Sequence, residues 1–168
     1  ILIVAGEPFS IFSEILFKSF KKIHLKNPIV VIASYKLFQK QMKVLNYKIP
    51  FNIVNKNFDR KELILNKINL INIDFNFINP FEKISNYSYS YNKNCFELAL
   101  NLLKKRPFQG LINGPISKKH FLKNNYPGIT EYLAKKTNVK KIAMLIFNKN
   151  FSVSPITTHI PLKKVSLS

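Results

Sequence analysis

Short apolar runs alternate along this chain with stretches whose apolar residues recur every three to four positions. That alternation leaves few folds open. Residues 1–5, 29–33, 51–54 and 110–113 read as strands buried on both faces. Between them, Ile11, Phe12, Ile15, Leu16 and Phe20 share one face of a helix. A second helix is predicted over 37–45. A third covers 94–105, with Phe96, Leu98, Ala99, Leu102 and Leu103 as its apolar stripe. Strands that alternate with helices pair through right-handed crossovers. The expected fold is therefore α/β, a parallel sheet in an α/β/α sandwich.

Residues 78–94, with Asn79-Pro80 and a Tyr/Ser run from Ser85 to Tyr91, lack clear periodicity. They read as a long exposed loop leading into the third helix. After Thr130 a short helix is predicted over 131–136, strands over 142–147 and 151–156, and the start of another helix over 161–168. The chain opens directly on a core strand with no initiator Met, and its end carries no Gly or Pro stop signal. The expectation is an incomplete chain: a first α/β/α domain over 1–130 and the truncated start of a second over 131–168.

The net charge of +19 invites a nucleic-acid reading. Composition argues against it. Of 27 basic residues only Arg60 and Arg106 are arginine, whereas phosphate-gripping surfaces favour arginine's bidentate fork. Lysine is scattered among many Asn, Ile and Phe, the pattern of a compositional bias with solvated lysines. The field still attracts small anions, phosphorylated metabolites included. Cys95 is the lone cysteine, set in an apolar run, and reads as a buried structural thiol in a reducing, cytoplasmic setting. No apolar run approaches a membrane span.

Three of the four glycines stand beside prolines at turns, as Gly6-Glu7-Pro8, Gly114-Pro115 and Pro127-Gly128. They fall near strand ends or helix starts. The carboxyl edge of an open α/β sheet is where ligands bind. Neither a G-x-G-x-x-G loop nor a Walker loop occurs. Thr130 can cap a helix beginning at Glu131, and the same helix start can present N–H groups to an anion. Lys118 follows a strand end, though a solvated lysine is the ordinary reading. His24 and His120 lie among lysines and read as surface residues. His159 follows two threonines at a predicted strand end, and a single histidine cannot make a metal site alone.

Gly114-Pro115-Ile116-Ser117-Lys118, the run from Tyr126-Pro127-Gly128 through Thr130-Glu131 to Ala134, and Thr157-Thr158-His159-Ile160-Pro161-Leu162 resemble the 4-hydroxythreonine-4-phosphate dehydrogenase family of pyridoxal phosphate biosynthesis. Gly6-Glu7-Pro8 is similar to that family's opening turn. The likeness spans nearly the whole chain but only the family's N-terminal half. It implies a two-domain α/β/α fold like isocitrate and isopropylmalate dehydrogenases, with a cleft site completed in a homodimer. It implies an enzyme that uses NAD or NADP and a divalent metal (Zn, Mg, Mn or Co) held by three histidines. The substrate would be 4-hydroxythreonine 4-phosphate, oxidised and then decarboxylated. His159 matches the first metal ligand and Thr130 a substrate contact. Lys118 and Glu131 match motif residues as weaker substrate-binding candidates. The cofactor-binding residues would lie beyond Ser168.

Two departures stand out. The family's Gly-His-Thr-Glu reads Gly128-Ile129-Thr130-Glu131, so a hydrogen-bonding histidine has become Ile129. Its Gly-Ile-Gly-Pro reads Ser10-Ile11-Phe12-Ser13, with bulk at Phe12 in place of backbone freedom. These keep an alternative open: a divergent or inactive paralogue acting on another phosphorylated hydroxy acid. A basic nucleic-acid-binding module is a further alternative, resting on charge alone.

Overall fold

The structure is a computed structural model that describes residues 1–157 and 160–167. The chain divides into two compact units, Ile1–Pro127 and Gly128–Ser168.

The first unit holds a five-stranded sheet of order β3-β4-β2-β1-β5, and every pairing is parallel. Its strands are β1 (Leu2–Val4), β2 (Val30–Ala33), β3 (Phe51–Ile53), β4 (Ile68–Asn72) and β5 (Leu111–Asn113). Its helices are α1 (Phe12–Lys22), α2 (Tyr35–Val44) and α3 (Tyr89–Lys105). The parallel α/β architecture follows the sequence pattern. β1, β2 and β4 lie at the centre; β1 and β2 are wholly apolar and buried, and β4 is buried up to its last residue. Covered strands can be uniformly hydrophobic because helices pack on both faces.

Strand parity sorts the core into two layers. Ile3, Ala5, Val31, Ala33, Ile68 and Leu70 pack with Phe12, Leu16 and Phe17 of α1 and Phe38 of α2. Phe17 and Phe38 meet edge to face at 5.6 Å. On the other face, α3 lies against β1 and β2 and buries Tyr91, Cys95, Phe96, Ala99 and Leu102. Tyr91 Oη accepts a hydrogen bond of 2.9 Å from the Ser34 amide at the end of β2, tying this helix to the sheet.

Several elements differ from expectation. β4 has no counterpart among the predicted strands, because Asn69 and Asn72 break its apolar run. Asn69 is buried without penalty: its Oδ1 accepts from Asn52 Nδ2 and Ile64 N, each at 2.8 Å, and its Nδ2 donates to Ile29 O and Ile64 O, each at 3.0 Å. α3 begins at Tyr89, inside the stretch read as loop, after a 3₁₀ turn over Asn86–Ser88. The buried face of α1 is rotated from the predicted one. Phe17 is fully buried, whereas Ile11 and Ile15 are exposed.

In the second unit α4 spans Ile129–Thr137. The strands expected at 142–147 and 151–156 do not form. The described backbone makes a single antiparallel bridge, Ile146 to Val153. The apolar residues around it are exposed, up to 98% at Ile156. An isolated two-stranded ribbon without a packed face is marginal in water. A short 3₁₀ helix covers Leu162–Leu167.

Candidate functional site

Two turns at the carboxyl edge of the sheet are built against each other. β1 runs into Gly6-Glu7-Pro8 and its neighbour β5 into Gly114-Pro115. Gly114 N donates to Val4 O at 2.7 Å, and Glu7 N donates to Pro115 O at 2.8 Å. Gly6 has φ of +76°, a left-handed conformation that L side chains rarely adopt, and a Cβ there would lie 2.3 Å from Pro115 O. A Cβ on Gly114 would lie 2.0 Å from Ala5 O. Both glycines are therefore required by the close approach of two backbones.

Glu7 is the chemical centre of this splice. The residue is 2% exposed. Oε2 accepts from Ser88 Oγ at 2.7 Å and from Asn92 Nδ2 at 3.1 Å. Oε1 is buried and, among the described residues, no partner lies within hydrogen-bonding geometry of it, the Phe9 amide acting on the carboxylate only from a poorer position. Burial pushes the carboxyl above its ordinary range, outweighing the opposing effect of Ser88, Asn92, the Phe9 amide and the charge of His120. A group this deep and this tightly held is a positioning residue: it ties the β1 turn to the start of α3.

The turn is braced elsewhere as well. Gln41, fully buried on α2, donates through Nε2 to Pro8 O at 2.8 Å and to Pro80 O at 2.9 Å. Phe12, the first residue of α1, is buried near Phe38, with ring centroids 6.5 Å apart. Its Cδ2 would lie 2.8 Å from a Cβ on Gly114. The bulk expected to disturb this turn is thus absorbed by the core, and the ring covers the Gly114 backbone.

Beyond β5, Ser117 caps a single π-turn over Lys118–Leu122, accepting from His120 N at 3.2 Å. His120 is half-buried, and its Nδ1 lies 2.9 Å from Asn86 Oδ1. His120 stays partly exposed, and its influence on Glu7 is the weakest of those that favour the charged carboxylate. Ser88 and Asn92 escape the sequence reading because their segment looks like loop. Tyr91, Asn92, Cys95, Phe96, Ala99 and Leu102 do recur at helical spacing, which is the signal that extends α3 backwards.

The candidate substrate-binding residues fall on different units. Lys118 is exposed at the start of the π-turn in the first. Thr130 and Glu131 are half-buried in the first turn of α4 in the second. Thr130 does not cap this helix. Gly128 is the N-cap, no side chain caps it, and the helix begins at Ile129, so Thr130 already lies inside it. The metal-ligand expectation at His159 lies outside the described residues. Among the described residues no group of three His, Cys, Asp or Glu could hold a metal ion, so they do not by themselves fit a three-ligand divalent site.

Residues 24–168 match the family described as "Pyridoxal phosphate biosynthetic protein PdxA". A protein of Sulfurihydrogenibium sp. (strain YO3AOP1) named 4-hydroxythreonine-4-phosphate dehydrogenase is 32% identical over 166 residues, covering 97% of this chain and 50% of its own length. The D-threonate 4-phosphate dehydrogenase of Salmonella typhimurium (strain LT2) is 33% identical over 72 residues, 42% of this chain and 22% of its own length. Among solved structures, a 4-hydroxythreonine-4-phosphate dehydrogenase from Klebsiella pneumoniae superposes with a TM-score of 0.79 at 24% identity, covering 98% of this chain and 51% of its own. At that identity the likeness is one of fold. The chain spans about half the length of the first of these relatives.

Proposed function

The chain belongs to the PdxA family of pyridoxal phosphate biosynthetic proteins, and from that premise we propose that it is part of an oxidoreductase acting on 4-hydroxythreonine 4-phosphate. The family match over residues 24–168 carries this reading. The substrate's secondary alcohol would lose a hydride to NAD or NADP and a proton to a base, and the resulting 3-oxo acid would then lose carbon dioxide. The likeness in the Thr157-Thr158-His159 motif extends the proposal to divalent-metal dependence. The described residues do not build that metal site, so no step is routed through it.

This chain's own contribution is to bind and orient. The strongly basic surface draws a phosphorylated substrate by a long-range, salt-sensitive field. Thr130 and the N–H groups at the start of α4, which no side chain caps, are the proposed substrate contacts, with Lys118 and Glu131 as weaker ones. Glu7 fixes the β1 turn through Ser88 and Asn92. A homodimer and a cytoplasmic location belong to the same proposal, as does a second domain beginning near residue 131. No described helix is long and apolar enough to cross a membrane.

A second reading rests on Ile129. An isoleucine offers no hydrogen bond where the family's motif has histidine, and one relative is named for a different phosphorylated acid, D-threonate 4-phosphate. The test is nicotinamide reduction by the natural protein with each substrate, NAD or NADP, and added divalent metal. Turnover of 4-hydroxythreonine 4-phosphate supports the first reading. Turnover of D-threonate 4-phosphate alone supports the second, and turnover of neither overturns both. Under the first reading Ile129→His should raise turnover of 4-hydroxythreonine 4-phosphate. An unchanged rate would show that the pocket does not lack that donor.

A further inference from the structure

The opposite end of the sheet from the Gly6 turn carries its own cavity, about 170 Å³ in volume. Ile1, Pro28 and Gln109 line it at the entries to β1, β2 and β5. Phe58, Arg60 and Arg106 complete the part that matters here. Both arginines of a chain with 27 basic residues stand in this one wall.

Their setting explains why lysine would not serve. Arg106 is half-buried at the C-cap of α3, and its guanidinium stacks over Phe58 at 4.4 Å from the ring centroid. Phe58 is buried and meets Phe108 edge to face at 6.5 Å. The backbone beneath is pinned, with Arg106 N donating to Leu102 O and Phe108 N to Arg106 O, each at 2.9 Å. Arg60 opens an exposed 3₁₀ turn over Arg60–Glu62. The acidic groups beside it are engaged with backbone: Asp59 Oδ1 accepts from Lys61 N, and Glu62 Oε1 from Asp59 N. Among the described residues the one ion pair is Lys93–Glu97, so neither guanidinium has a carboxylate partner there.

An apolar slot with two unneutralised planar forks has a definite complement. The forks suit the oxygens of a phosphate or carboxylate, and a guanidinium stacked on an aromatic ring can carry another flat group. An apolar cavity of roughly 150 Å³ accepts one benzene ring, so the slot is sized for a single ring with its anionic group at the mouth. We propose that this cavity is a binding site for a small aromatic oxyanion, held by Arg60 and Arg106 with its ring against the Phe58 side. The site lies apart from the Gly6 turn, and its readout is binding rather than turnover.

Titration calorimetry of the natural protein at physiological salt tests this with phenyl phosphate, benzoate, inorganic phosphate and benzyl alcohol. One-site binding of phenyl phosphate or benzoate is expected, and the tighter of the two identifies the oxyanion. Inorganic phosphate and benzyl alcohol should each bind at least about tenfold more weakly, because each lacks half of the recognition. The double variant R60K/R106K keeps the net charge and should lose about tenfold in affinity. K40Q, on the exposed face of α2, should lose none. Inorganic phosphate binding as tightly as phenyl phosphate, or full affinity in R60K/R106K, would overturn the site in favour of a diffuse basic surface. If the double variant does not fold, Arg60→Lys alone, at an exposed position, separates the same two outcomes.

Discussion

Gly114→Ala is the sharpest probe of the splice between β1 and β5. The added Cβ would sit 2.0 Å from Ala5 O, 2.8 Å from Ala5 C and 2.8 Å from Phe12 Cδ2. Two of the three obstacles are backbone just past the end of β1 and cannot rotate away. Ordinary contact begins near 3.4 Å, so the chains must part by about 1.4 Å. That movement stretches the Gly114–Val4 bond of 2.7 Å and the Glu7–Pro115 bond of 2.8 Å past useful length. Two hydrogen bonds at about 1 kcal/mol each, added to an overpacking cost of about 1–3 kcal/mol, give roughly 3–5 kcal/mol. For a chain of this size the melting temperature should fall by about 10 °C. Gly110→Ala is the internal control. Nothing lies within 4 Å of its Cβ position and its φ is not left-handed, so its stability should be unchanged or slightly raised. The assay is urea denaturation followed by circular dichroism, with midpoint and slope both recorded. If Gly114→Ala falls within about 0.5 kcal/mol of wild type, the splice is looser than its geometry and the reasoning fails.

Glu7 should make stability depend on pH with a definite sign. Its folded-state pKa is raised above the ordinary 4.5, so the folded protein keeps the proton longer than the unfolded chain. The stabilisation is full below the unfolded value and is lost as pH rises through the folded one. Glu7→Gln should flatten that slope in denaturation curves taken across the acid-to-neutral range, and an unchanged slope would acquit Glu7. Ser88→Ala should extend the loss to higher pH, since Ser88 supports the charged form. Burial pushes the Cys95 thiol up to about 12. It should resist iodoacetamide at neutral pH in the folded protein and react once urea is added, as mass spectrometry would register. Asn69→Leu strands the Ile64 amide and takes the Asn69 donor from the Ile29 and Ile64 carbonyls, at a cost of about 3 kcal/mol. A neutral effect on the denaturation midpoint would mean that water takes over these bonds.

Four of the sheet's apolar strands and the helix at α2 were legible because burial is written in side-chain type. What escaped was written in hydrogen bonds. β4 carries Asn69 as its second residue, one that reads as loop until its partners on Ile29, Asn52 and Ile64 are seen. The same holds for the site. Glu7 was visible as part of a turn motif, but Ser88 and Asn92 come to it from far along the chain. No local pattern could join them. Polar residues are ambiguous in sequence because their burial depends on a partner, and the partner is chosen by topology. Here the topology is a parallel one: the crossover that returns α3 to β5 brings Ser88 and Asn92 over the end of β1. A serine and an asparagine on the first turns of a crossover helix, with an acidic residue just past the first strand, are therefore the combination to look for in chains of this kind. They hold the turn from the side that the neighbouring strand cannot reach.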